Sequence, residues 1–230
     1  MLSLSCNKEE TIVIAPESQG YELLFGEWDV GAYYTKLYVI DYFKRVALGT
    51  EYDSTIEITR KWSSDMKIFV GGSPSDELLQ ELHSIKNEIN TLVTDDFSIE
   101  IVNDSLNSNY YIFIGSGKDY ANLFPGQSIY IKDNWGLFYI EWDSDFVITS
   151  GHMYVDVNKA NLVAQKHILR EELTQSLGFP NDIPLDTRSI FYNDWSTTNF
   201  YSELDIKIIR LLYHPEMGAG LNESSVDNVL

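Results

Sequence analysis

The sequence predicts an α+β domain, a mixed twisted sheet with helices packed on it, in the order β-α-β-β-β-β-α-loop-α. Three observations carry this reading. Apolar residues alternate in some stretches, as strands require, and recur every three or four residues in others, as helices require. Glycine and proline punctuate these runs, as at Gly71-Gly72, Pro74, Gly178 and Pro180. Apolar residues make up 44% of the 230, enough to bury one core and too many for a linker or low-complexity chain.

The elements follow in order. Residues 7–20 are polar apart from one short apolar run and read as a tether. The expected division is therefore a signal remnant and tether over 1–20, one domain over 21–217 and a disordered tail over 218–230. Tyr38, Val39, Tyr42, Phe43, Val46 and Leu48 fit an initial helix or a long strand, with Ile56 and Ile58 in a β segment after it. Residues 66–70 are a short β run ended by Gly71-Gly72. Ser75-Asp76-Glu77 supplies start signals for a helix, continued by Leu78, Leu82, Ile85, Ile89 and Leu92 at helical spacing. Strands are expected at 97–102 and 110–114. Gly115-Ser116-Gly117 lacks the lysine and the spacing of a phosphate loop and reads as a turn. Further strands are expected near 128–131, 136–142 and 146–157, the last of them, with His152, as an edge strand. A helix over 161–178 ends at Gly178 and Pro180. After a loop over 181–199, Ser202-Glu203-Leu204-Asp205 has the form of a capping box and starts a final helix, stopped by Pro215.

Lys and Arg sum to 16 and Asp and Glu to 35, a formal net charge of −19. Such a surface repels phosphate backbones and anionic headgroups, which argues against nucleic acid or a polybasic membrane contact. No stretch reaches the roughly 18 consecutive apolar residues of a spanning helix. The single Cys makes no internal disulfide and, beside four His, builds no cysteine-rich zinc site. That residue, Cys6, closes the small-residue run Leu2-Ser3-Leu4-Ser5 and is followed by Glu9-Glu10. The run resembles the end of a bacterial lipoprotein signal, in which the Cys is acylated. The plainer alternative is an ordinary N-terminus with a stray Cys. The segment before Cys6 is too short for the regions of a full signal, so the lipoprotein reading expects a start upstream or a trimmed one. It makes Cys6 a lipidation site and places a monomer on a Gram-negative cell envelope. Its membrane contact is then only the lipid anchor in the outer membrane, facing the periplasm or the outside.

The stretch 167–182 carries the chemistry. On a helix, Leu162, Leu169, Leu173 and Leu177 gather on one side, while His167, Glu171 and Gln175 lie one turn apart on the other. Groups at i and i+4 point the same way, which is how a helix presents two metal ligands. The string Glu171-Glu172-Leu173-Thr174-Gln175-Ser176-Leu177-Gly178-Phe179-Pro180-Asn181-Asp182 resembles the metal-binding helix of metzincin zinc peptidases, HExxHxxGxxH with a methionine turn downstream. The resemblance extends over about residues 60–217 and implies a single zincin/metzincin-like domain. Aligned on Gly178, it puts Glu172 on the general base and Glu171, Gln175 and Asn181 on the three former metal-ligand positions. Asp182 matches the acid after the third ligand in some branches. Ser189-Ile190-Phe191-Tyr192 resembles the methionine turn, with Phe191 in place of Met. The chain is also similar to an uncharacterised family of predicted bacterial lipoproteins in which an E-E-x-x-Q-x-L-G-x-x-N-D string is usual.

The departures decide the expectation about function. Zinc prefers imidazole and thiolate. Glu, Gln and Asn offer only oxygens, a set that suits Ca²⁺ or Mn²⁺ or no ion at all, and no cofactor is expected. Without a polarising metal, Glu172 has no activated water to serve. The expected role is therefore binding or structural, in a non-catalytic pseudo-metallopeptidase whose partner is a peptide, protein or glycan. One alternative is a metal-dependent hydrolase with oxygen ligands, joined by His167, and Glu172 as its base. Another is a surface glycan binder using Trp135, Trp142 and Trp195. His152, His167, Asp182, Phe191 and Tyr192 are cleft candidates. The plainer reading of His167 is a hydrogen bond to Glu171, and that of Glu171, Glu172, Gln175 and Asn181 is a satisfied network tying helix to loop.

Overall fold

Helix α1 (Lys36–Ala47) begins where the Thr35 side chain accepts from the Tyr38 N–H, and it buries Val39, Tyr42, Phe43 and Val46 along one stripe. The first apolar stretch is thus a helix rather than a strand. The computed structural model describes residues 34–49, 57–132 and 134–230. The expected tether over 1–20, and Cys6 within it, lie outside the described residues.

After β1 (Lys61–Trp62) and β2 (Met66–Gly72), Ser75 caps α2 (Asp76–Leu92), whose Leu78, Leu82, Ile85 and Ile89 are buried. Then follow β3 (Ile99–Val102), β4 (Tyr110–Gly115), α3 (Gly117–Leu123), β5 (Gly136–Trp142) and β6 (Val147–Asp156). The chain closes with α4 (Leu162–Gln175), α5 (Glu203–Leu212) and α6 (Glu223–Val229). Strands β3, β2, β4 and β6 lie side by side in that order, all parallel. Strand β6 also pairs with β1 in parallel and with β5 antiparallel. The predicted mixed sheet with packed helices is what the structure contains. Ile68, Ile112, Ile114, Met153 and Val155 form one core with α1, α2, α4 and α5. A smaller cluster of Phe113, Tyr120 and Tyr154 packs against α3.

Four expectations are corrected. The strand with His152 is not an edge: β6 is paired on both sides, whereas β5 pairs with β6 alone among the described strands. Residues 128–131 form no strand. Pro125 starts a single 3₁₀ turn there, continued by Ser128 N–H donating to the Pro125 carbonyl and Tyr130 N–H to that of Gln127. Ser116, read as part of a turn, instead caps α3 by accepting from the Asp119 N–H. The tail is ordered. Thr59 exchanges backbone bonds with Gly220 and Leu221, Val226 and Leu230 are buried, and Lys44 of α1 pairs with Glu223 and Asp227. Polar composition hid these few apolar anchors.

Candidate functional site

Three segments meet at the site: β5, the face of α4 that carries Glu172 and Gln175, and the loop that follows α4. Gly136 lets strand and helix approach, because a Cβ there would overlap Ile168 and stand 2.9 Å from Glu172 Oε1. A cleft of about 700 Å³ runs along β5. Phe138, Tyr139, Ile140 and Trp142 line it from the strand, Glu172 and Gln175 from the helix, and Pro180 and Asp182 from the loop. Tyr130 and Arg60 also line it. The Arg60 guanidinium lies 4.5 Å from the Trp142 ring centroid and donates to the carbonyls of Gly49 and Ile58 at 2.9 and 3.1 Å.

The register of β5 fixes which backbone groups face this cleft. Asp156 N–H donates to the Trp135 carbonyl at 2.7 Å. In an antiparallel ladder the residues of every second pair then bond one another, here Leu137 with Tyr154, Tyr139 with His152 and Glu141 with Ser150. The N–H and C=O groups of Gly136, Phe138 and Ile140 therefore point away from β6, toward the side of β5 that no other described strand pairs.

The end of α4 is clamped from three sides. Trp62 Nε1 donates to the Ser176 carbonyl at 2.9 Å, Tyr213 Oη to that of Leu177 at 2.7 Å, and Tyr110 Oη bonds the Ser176 hydroxyl. On the same helix, buried Arg170 pairs with Glu81 and Glu88 of α2 and lies over Tyr201. This rigid mounting holds the face with Glu171, Glu172 and Gln175 beneath β5. Of the Leu side, Leu169, Leu173 and Leu177 are buried and Leu162, at the first turn, is exposed.

The three positions that the resemblance aligns with metal ligands do not converge. Gln175 donates its amide N–H to Asp182 Oδ1 at 2.8 Å. Asn181 turns away and donates to the carbonyls of Leu48 and Arg45 at 2.7 and 3.2 Å, closing the end of α1. Glu171 Oε2 lies 3.4 Å from His167 Nε2. The other ring nitrogen of His167 bonds the Thr198 carbonyl at 2.6 Å, so a neutral ring donates there and accepts at Nε2. Burial lowers the His167 pKa. Burial, with Glu172 and Asp182 nearby, pushes the Glu171 carboxyl well above the usual carboxylate range. Burial thus disfavours the charged form of both groups. A metzincin zinc ion would need three ligands converging on one point, and this donor set does not fit it. Among the described residues no three His, Cys, Asp or Glu side chains are placed to hold a metal ion together.

The remaining candidates separate. His152 is not in the cleft. It bonds the Tyr120 hydroxyl at 2.7 Å and lies between the Phe124 and Tyr139 rings, with burial pushing its pKa down to about 4. Phe191 is fully buried against Phe179. Its turn is tied to α5, because buried Asp205 accepts from Ser189 Oγ at 2.5 Å, Ser202 N–H at 2.8 Å and Ile190 N–H at 3.2 Å. Tyr192 donates to Asp194 at 3.0 Å, outside the cleft. Trp135 and Trp195 meet edge to face at 5.0 Å, and Trp195 also meets the His167 ring. Gly136, Arg60 and Tyr130 escaped the sequence reading. For Gly136 a signal existed, a glycine opening an otherwise apolar and aromatic strand.

A family model described as "Protein of unknown function (DUF2927)" matches residues 36–230. No curated protein matches the sequence. Among solved structures, one titled "Structure of Myroilysin" is similar at 11% identity and a TM-score of 0.40, covering 67% of this chain and 82% of that one. Another is high choriolytic enzyme 1, a hatching-enzyme zinc protease from the medaka fish Oryzias latipes. It has 15% identity and a TM-score of 0.37, covering 66% of this chain and 94% of that one.

Proposed function

We propose, on the premise that this chain belongs to the DUF2927 family, that it is a non-catalytic binding domain of metzincin type whose cleft receives an extended polypeptide segment. The observation that carries the reading is that, among the described residues, no strand pairs the side of β5 to which the main-chain groups of Gly136, Phe138 and Ile140 point, beside a cleft of about 700 Å³. An extended segment can add there as a further strand, drawing its affinity from main-chain bonds. The non-catalytic part rests on the three former ligand positions, whose side chains serve His167, Asp182 and the end of α1. Glu172, which the resemblance aligns with a general base, lines the cleft, and that donor set would supply it no metal-activated water.

The test is titration of the purified full chain with extended synthetic peptides in the presence of chelator, followed by mass analysis of the peptide. Saturable binding that chelator leaves intact, with the peptide uncut, is expected. Cleavage that Glu172→Gln abolishes would overturn the reading.

A further inference from the structure

We propose that Lys159 is a positioning residue for the cleft: its ammonium fixes the main chain of one wall and so sets the room an extended segment finds beside β5. The inference rests on the peptide-binding reading of the same cleft and adds the residue that shapes it.

Gly126, Gln127, Tyr130 and Asn134 line the cleft from the connection between α3 and β5. The turn bonds of this wall are local. Gln127 N–H donates to the Phe124 carbonyl at 3.0 Å, Ser128 N–H to that of Pro125 at 3.2 Å and Tyr130 N–H to that of Gln127 at 3.0 Å. Such bonds shape the turn without fixing where it lies. At its start the Phe124 ring stacks on His152 at 3.7 Å. At its end Lys159 Nζ donates to the carbonyls of Ile131, Lys132 and Asn134 at 2.9, 3.1 and 3.2 Å, and Tyr154 Oη donates to the Asn134 carbonyl at 2.6 Å. Carbonyl oxygens turned toward one point repel one another and need a cation between them. A lysine ammonium has three donors, and here each finds an oxygen.

The turn after β6 holds Lys159 ready for this task. Its N–H and that of Asn158 donate to Asp156 Oδ1 at 3.0 and 2.9 Å, while Asp156 Oδ2 accepts from the Gly117 N–H at 3.1 Å. Asp156 is buried at the end of β6. Gly117 makes room for the wall, because a Cβ there would stand 2.3 Å from Ile131 Cγ2. These four residues tie the start of α3, the end of β6 and the wall together. Lys159 itself stands outside the cleft lining, so it acts on a bound segment through the wall.

The experiment compares the full chain with Lys159→Met, which keeps an aliphatic stem and removes the charge, and Lys159→Arg, which restores a cation. Amide exchange at Ser128 and Tyr130 is expected to rise about tenfold or more in the Met variant and to return near the parent rate in the Arg variant, with amides of β4 and β6 unchanged. A ten-residue peptide alternating Thr and Ser, titrated by calorimetry, is expected to bind about fivefold more weakly to the Met variant and close to normally to the Arg variant. If Lys159→Met does not fold, Lys159→Gln carries the same comparison. Equal wall exchange in the uncharged variant and the parent overturns the proposal. Faster exchange throughout β4 and β6 also overturns it, since the lysine then supports the fold at large. Faster wall exchange with unchanged peptide affinity overturns the link to the cleft. A parent that binds no peptide overturns the peptide-binding reading, and the exchange comparison still decides whether Lys159 holds the wall.

Discussion

Gly178 adopts a φ of +119°, and a Cβ there would overlap the Arg60 carbonyl oxygen. This residue anchors the alignment of the 171–182 string, and its conformation serves the close packing of α4 against the chain before β1. Gly178→Ala is expected to cost about 3 kcal/mol or more, from strain at positive φ and the displaced backbone. Urea unfolding should show a lower midpoint with the slope unchanged. A midpoint equal to the parent's would contradict the close approach. Residue types at the site were legible in the sequence, and their directions were not. Asn181 reads as a third ligand by spacing, yet its partners are carbonyls of α1 more than 130 positions away in the chain. His167 and Glu171 read correctly as a pair because i and i+4 neighbours on a helix are set locally.

Helix α5 shows how an element can carry more than its local signal. The capping box from Ser202 to Asp205 was readable, and the structure contains it. What local pattern could not give is that the same Asp205 carboxyl also holds Ser189 and Ile190, so one buried group starts the helix and fixes the turn before it. Asp205→Ala should destabilise the fold by about 2–4 kcal/mol, through loss of the cap and of buried hydrogen bonds. Burial pushes the Asp205 pKa up to about 6, above an unfolded value of about 3.9. The folded state therefore binds the proton more tightly. Its contribution is full below about pH 4 and declines as the pH rises through 6. Stability measured by denaturation across that window should fall in the parent and stay flatter in Asp205→Asn. The same slope in both would show that another group is responsible. The strands tell a similar story. Alternation revealed β5 and β6 nearly to their ends, but not which of them stands at the edge, since pairing is decided by partners far along the chain. Residues 128–131 have β-type composition and form no strand.

For the whole molecule, the antiparallel strand β5 stands, among the described strands, at the side of the sheet over α4, and the cleft lies between them. Among the described residues no helix is long and apolar enough to cross a membrane. An open strand edge is a template for pairing with another chain, and proteins usually blunt it. Here it borders a cleft with carboxylates on one wall and aromatic rings on the other. The most direct measurement of the central claim is backbone amide exchange, residue by residue along β5, with and without a bound extended peptide. Binding by strand addition predicts new protection at Gly136, Phe138 and Ile140, with Leu137, Tyr139 and Glu141 unchanged because β6 already protects them. Peptide binding that leaves exchange at Gly136, Phe138 and Ile140 unaltered would contradict the account.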